Sequence, residues 1–83
     1  MADVVVYTTS PCSWCARVKM LLRSKGIEFR EVNLVHDPLG FQELAERTGM
    51  MSLPQVVVDD ELIGGYKETV AADESGRLGE LAA

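Results

Sequence analysis

Apolar runs are short in this chain: the longest, such as Val4–Tyr7 and Val56–Val58, reach three or four residues. A membrane-spanning helix needs about 20, so no membrane partner is expected. A cationic leader is missing as well. Asp3 stands where a signal peptide would carry positive charge, and no apolar stretch follows it, which makes the cytoplasm the expected location. Basic residues are outnumbered, with eight Lys and Arg against 13 Asp and Glu and a formal net charge of −5. That balance argues against general binding of nucleic acid, which depends on neutralising phosphates. Cysteine, proline and glycine are too sparse for a disulfide-dense knot or a collagen-like chain, and 47% hydrophobic residues exclude a disordered one. Eighty-three residues leave room for one domain, and no internal repeat, linker or low-complexity segment interrupts it.

The little cysteine present is concentrated in Cys12-Ser13-Trp14-Cys15. A crosslink there is worth only about 2 kcal/mol in the chain-entropy model and ties no distant elements together. In a reducing compartment such a pair reads as redox-active or metal-binding; His36 would be a third ligand, and there is no second Cys-x-x-Cys. Charge is also unevenly placed. Residues 17–30 carry five cations against one acid, and residues 54–83 carry two cations against seven acids. The basic segment is either a solvated helix face or a rim beside an anionic substrate, and composition does not separate the two.

Residues 3–8, rich in β-branched side chains, predict a buried strand that Thr9-Ser10-Pro11 breaks. Apolar positions at Trp14, Ala16, Val18, Leu21 and Leu22 predict a helix over 13–25, with Gly26 just past its end. Residues 29–34 read as a second strand. Asp37-Pro38 supplies an N-cap and first-turn proline for a second helix whose apolar face is Phe41, Leu44 and Ala45, ended by Thr48-Gly49. Pro54 opens a third strand over 55–58, Asp59-Asp60 is a turn, and 61–63 is a short fourth strand. After Gly64-Gly65, residues 66–74 and a last turn around 78–81 read as C-terminal helix broken near Ser75-Gly76. The order β-α-β-α-β-β-α implies a right-handed parallel pair at one end and an antiparallel hairpin at the other. The expected fold is α/β, a four-stranded mixed sheet with helices on both faces.

Within this frame Cys12 falls where the free N–H groups and positive dipole end of the first helix stabilise a thiolate, and Arg17 and Lys19 add to the field. Cys15, one turn further in, is placed to resolve a mixed disulfide. Trp14 reads as an exposed apolar wall of a substrate groove. Gly64-Gly65 permit close backbone approach, and the N–H groups of Tyr66 and Lys67 at a helix start suit a carboxylate. Met50 and Met51 read as packing around the site, and His36 as a loop residue.

A strand running into Cys-x-x-Cys at a helix start is the thioredoxin-like redox arrangement. Tyr7 to Cys15, then Ser52-Leu53-Pro54, then Ile63-Gly64-Gly65-Tyr66 resemble the three signature segments of glutaredoxins, in register over essentially the whole chain. The resemblance implies a thioredoxin-like fold and a single glutaredoxin-like domain over residues 1–83. It implies a dithiol, glutathione-linked thiol–disulfide oxidoreductase that acts in electron transport and cell redox homeostasis. Cys12 and Cys15 would be catalytic. Trp14, Leu53, Pro54, Gly65, Tyr66, Lys67 and Glu68 would bind glutathione, the reducing co-substrate. Pro54 would be cis, turning Leu53 N–H and C=O towards the cysteinyl part of a substrate, and Glu68 would lie near the γ-glutamyl amine. Implied partners are glutathione, disulfide-containing or glutathionylated proteins and a disulfide reductase system, with the chain working as a monomer.

The chain departs from the family pattern at several positions. Thr9 stands where many members have Lys, Phe41 where they often have Gln or Arg, and Tyr66 where Cys is common. A cation for the glycine carboxylate would come from Arg47 or Lys67. Two alternatives accompany the main reading. One is a redoxin reduced directly by thioredoxin reductase and serving a protein such as ribonucleotide reductase. The other, suggested by Ser13 in place of the usual Pro, is a [2Fe–2S] cluster held between two chains by Cys12 and glutathione thiolates.

Overall fold

The computed structural model describes residues 3–82; residues 1, 2 and 83, the ends of the expected 1–83 domain, lie outside the described residues. Successive valines stiff at χ1 form β1 (Val4–Thr8). It pairs in parallel with β2 (Arg30–Asn33), Val6 opposite Glu31 and Thr8 opposite Asn33. On its other side β1 pairs antiparallel with β3 (Gln55–Val58), which pairs antiparallel with β4 (Glu61–Gly64). The sheet order is therefore β2-β1-β3-β4. Asp59 and Asp60 turn between β3 and β4 with φ of 49° and 67°, the left-handed pair that a two-residue hairpin needs.

Helices α1 (Ser13–Ser24), α2 (Pro38–Thr48), α3 (Tyr66–Glu74) and α4 (Arg77–Ala82) complete the chain. Strand alternation decides what each covers. Val4, Val6, Val56 and Val58 share one buried cluster with Val18 and Leu22 of α1, Ile27, Ala72 of α3 and Leu78 of α4. Each fully buried Val or Leu there contributes about 1.5–3 kcal/mol. Val5 and Val57 point to the opposite face; they and Leu44 and Ala45 of α2 are buried but stand outside that cluster, which puts α2 on the second face. Helices thus cover both faces, as expected. Asp37 caps α2 by accepting from Gly40 N–H at 2.9 Å, Pro38 is its first residue, and Gly49 ends it at φ 78°.

Boundaries move by a residue where tertiary contacts decide. Asp3 stays outside β1 because its carboxylate meets the Arg30 guanidinium at 3.1 Å and its N–H meets Asp59 Oδ1 at 2.8 Å. Lys25 caps α1 rather than extending it. Phe29 and Leu34 flank β2 instead of belonging to it: Phe29 packs on the core, and Leu34 N–H still reaches Thr8 O at 2.8 Å. β4 runs one residue further, to Gly64.

Register fixes what comes together. Tyr7 lies opposite Gln55, and Val56 opposite Gly64. The end of β1, the start of β3 and the end of β4 therefore meet at one edge of the sheet. The segments that leave it carry Cys12, Pro54 and Gly65.

Candidate active site

Cys12 is the N-cap of α1, in extended backbone at φ −156°. It is half-buried, whereas Cys15, a turn later, is 2% exposed. The two sulfurs are in disulfide contact with their Cα atoms 5.2 Å apart. Cys12 Sγ also accepts from Cys15 N–H at 3.1 Å. A sulfur in that position faces the free N–H groups of the helix, where negative charge is stabilised. The loop entering it is held by Asn33 Nδ2 donating to Ser10 Oγ at 2.8 Å. Both Ser10–Pro11 and Leu53–Pro54 are cis.

A groove of about 340 Å³ opens beside the pair, lined by Trp14, Leu53, Pro54, Gly65, Tyr66, Lys67 and Glu68. These are the seven positions expected to bind glutathione, drawn from three segments distant in sequence. Trp14 is 52% exposed, 5.3 Å from the Tyr66 ring, with the Arg17 guanidinium 4.9 Å from its ring centroid. Gly65 eases the close approach here, since a Cβ would meet Pro54 O at a tight 3.3 Å. Thr69, fully buried, ties its hydroxyl to Gly65 O at 2.8 Å and fixes that turn. Glu68 does something the sequence did not suggest. Its Oε1 reaches back to accept from Gly65 N–H at 2.8 Å, capping its own helix.

The sequence placed Met50 around the site but left Ser52 and Gln55 without a role. Met50 and Ser52 line the groove. Gln55 is fully buried, and its Nε2 donates to Met50 O at 3.1 Å and Ser52 O at 3.0 Å, so it holds the segment that presents Leu53. Its Oε1 has no partner. One amide in an otherwise all-valine strand was the available signal.

The basic stretch resolves mostly into partnered surface. Lys19 meets Glu31 at 3.0 Å, Lys25 meets Asp73 at 3.2 Å, Arg30 meets Asp3, and Arg23 lies 5.3 Å over Phe29. Arg17 alone of the five stands at the groove, through Trp14. Lys19, expected to add to the field at Cys12, has its ammonium held by a carboxylate on β2. Thr8 Oγ1, buried beneath, donates to the same Glu31 oxygen at 2.8 Å. The Glu31 carboxyl is held below its ordinary range, first by the Lys19 hydrogen bond and then by that of Thr8.

On the other side of Leu53 lies a second depression of about 450 Å³ between Thr9, Val35, Pro38, Phe41 and Met51. Arg47, in the last turn of α2, lines neither depression, and Lys67 lines only the first. His36 is an exposed turn residue. Among the described residues no group of three or more His, Cys, Asp or Glu is placed to hold a metal ion. A [2Fe–2S] cluster takes four ligands, Cys₄ in the common case. With Cys15 buried, this chain presents one reachable sulfur, that of Cys12, and so supplies by itself no more than one of those ligands. No helix among the described residues is long and apolar enough to cross a membrane.

A thioredoxin-like sheet with a Cys-x-x-Cys pair capping its first helix defines a thiol–disulfide oxidoreductase. Residues 4–63 match the family model described as Glutaredoxin, and the chain belongs to that family. It is 37% identical to glutaredoxin 3 of Escherichia coli (strain K12) over 81 residues, covering 98% of each chain. Its fold matches the solution structure of glutaredoxin from Brucella melitensis with TM-score 0.86 at 36% identity, over 99% of this chain and 89% of that one. It matches the crystal structure of a buckwheat glutaredoxin–glutathione complex with TM-score 0.88 at 25% identity, over 98% of this chain and 76% of that one.

Proposed function

We propose that the protein is glutathione-linked, reducing protein disulfides and glutathione mixed disulfides with Cys12 as nucleophile and Cys15 as resolving residue. The observation that carries this is the groove beside the pair, whose walls are Trp14, Leu53, Pro54 and residues 65–68. Support also comes from the buckwheat relative, which was crystallised with glutathione. Cys12 Sγ at the helix start, accepting from Cys15 N–H, is suited to carry the negative charge of an attacking thiolate.

The thiolate attacks the glutathione sulfur of a mixed disulfide, and the substrate protein leaves as a thiolate that takes up a proton. A second glutathione thiolate then attacks the Cys12-bound sulfur, freeing oxidised glutathione and restoring Cys12. With a protein disulfide, Cys15 makes the second attack instead, and the pair ends as a disulfide while two electrons pass to the substrate. In this reading Leu53 N–H and C=O pair with the cysteinyl backbone. The N–H groups of Tyr66 and Lys67 receive the γ-glutamyl carboxylate. Glu68 keeps one oxygen free for the amine.

The test compares turnover of a glutathionylated protein with glutathione and its reductase against thioredoxin reductase alone. Turnover only in the first system is expected. Turnover only in the second would replace glutathione with direct reduction by the flavoenzyme.

A further inference from the structure

Leu53 is a wall common to two depressions. The groove ends in Lys67, Glu68 and the start of α3, all groups for a charged ligand. The recess on the other side, bounded by Thr9, Val35, Pro38, Phe41 and Met51, has no charged residue in its lining among the described residues. Met51 stands 76% exposed and Val35 41%. A carboxylate entering the recess would shed water and meet no cation, whereas an apolar side chain would cover surface that is now wet. The recess shares Leu53 with the groove, and its wall includes Thr9, on the segment that leads from β1 to Cys12. Any disulfide reduced here brings one sulfur to Cys12, and in this reading the groups beside that sulfur lie on the two sides of Leu53.

We propose that this recess takes an apolar side chain next to the reacting cysteine of a polypeptide disulfide, so that the protein selects substrates by that neighbour. The inference rests on the thiol–disulfide reading above and names its substrate class. In the reaction the Cys12 thiolate forms a bond to one substrate sulfur and expels the other as a thiolate, which takes a proton. Cys15, deprotonated, then attacks Cys12 Sγ, expels the second substrate thiolate and closes the Cys12–Cys15 disulfide. The reduced protein supplies both electrons.

The experiment is single turnover by the reduced full chain against two symmetric peptide disulfides, those of acetyl-Gly-Leu-Cys-Leu-Gly-amide and acetyl-Gly-Ser-Cys-Ser-Gly-amide. Thiol release is read, and each variant is judged by its Leu-to-Ser rate ratio, so a general loss of folding or reactivity cancels. The wild type is expected to favour the Leu peptide by roughly ten-fold, the scale of a filled apolar pocket, and Met51→Lys to bring the ratio to about two or below. Phe41→Gln should lower it in the same direction. Met20→Lys, an exposed methionine on α1 outside both depressions, should keep the wild-type ratio. Equal rates for the two peptides in the wild type would overturn the proposal, as would a Leu preference untouched by both Met51→Lys and Phe41→Gln. A dimer on sizing that Met51→Lys converts to monomer would give the recess to a second copy and overturn it too. If hydroxyethyl disulfide also goes unreduced, the thiol–disulfide reading itself has failed and takes this proposal with it. That result is distinct from two equal non-zero rates.

Discussion

Two helix starts flank the groove and are capped in opposite ways. At α1 the cap is a sulfur: Cys12 Sγ accepts from Cys15 N–H at 3.1 Å. At α3 the cap residue is Gly65, which has no side chain to offer, and Glu68 reaches back to its N–H at 2.8 Å. The first cap is a group whose bonding changes in every catalytic cycle. The second is a carboxyl oxygen that stays on the backbone it caps. A helix N-terminus stabilises an anion in either case, so the difference lies in what the anion is free to do. The α1 start lends its field to chemistry. In the proposed reading the α3 start spends part of its field on its own glutamate and leaves the next N–H groups for a ligand.

The largest expected effect breaks the α1 side of that comparison. Serine is as good an N-cap as any residue, so Cys12→Ser should leave the reduced protein's urea midpoint close to wild type. Its thiol exchange should fall to the uncatalysed background. Cys15→Ser should keep activity on glutathione mixed disulfides and lose reduction of protein disulfides. The reverse pattern, with Cys12→Ser active and Cys15→Ser dead on mixed disulfides, would exchange the two roles.

The α3 side breaks at Gly64. Its φ of +130° is a region that side chains avoid, and a Cβ there would stand 2.6 Å from Glu68 Cβ and 2.8 Å from Oε1. Gly64→Ala should therefore cost about 1–3 kcal/mol and push Glu68 off Gly65 N–H. Combined with Glu68→Ala the loss should be less than additive, because each single variant already loses the cap and the alanine keeps only the Cβ part of the clash. Strict additivity in denaturant unfolding would show that Gly64 strain acts without Glu68.

Glu68 itself separates cap from ligand contact. Glu68→Ala removes the acceptor and should cost about 1 kcal/mol, the usual value of a lost cap. Glu68→Gln keeps an oxygen for Gly65 N–H and removes only the charge. Stability is then expected to return to within about 0.5 kcal/mol of wild type, while the KM for glutathione rises several-fold. A Gln variant with wild-type glutathione kinetics would confine Glu68 to its structural job.

The same contrast marks what was legible in the sequence. Local signals carried the element order. Asp37-Pro38 and Gly49 bracket α2 as read, the Asp59-Asp60 turn has the left-handed backbone expected of a hairpin, and the Cys-x-x-Cys pair does cap the first helix. The three signature segments also converge on one groove, because strand register brings their ends to the same edge of the sheet. What stayed hidden depends on distance in space. Glu68 lacks the Ser or Thr partner that makes a capping box visible, since Gly65 stands in its place. Gln55 looks like any strand residue until its amide is found under Met50 and Ser52. The pairing of Lys19 with Glu31 joins a helix to a strand, a contact that no local signal in either segment shows.

Glu31 offers the control for Glu68: an acid held by a cation and a hydroxyl on the sheet, rather than by a helix start at the groove. Lys19 and Thr8 both donate to Glu31 Oε2, at 3.0 and 2.8 Å, and they hold the carboxyl below its ordinary range. A depressed folded-state value means that the charged form stabilises the native state. That contribution is complete above the ordinary carboxylate range and is lost as pH falls through the folded-state value. With the Glu31 side chain 31% exposed, solvent screening keeps it below about 1 kcal/mol. Glu31→Gln should accordingly be slightly less stable than wild type in urea at neutral pH. The gap should close as the pH falls through the folded-state range of Glu31, below which both proteins carry a neutral side chain. Thiol exchange, placed at the α1 start rather than on the sheet, should not follow this titration. A stability gap that stayed constant from neutral to acid pH would assign the effect of Glu31 to packing rather than to its charge.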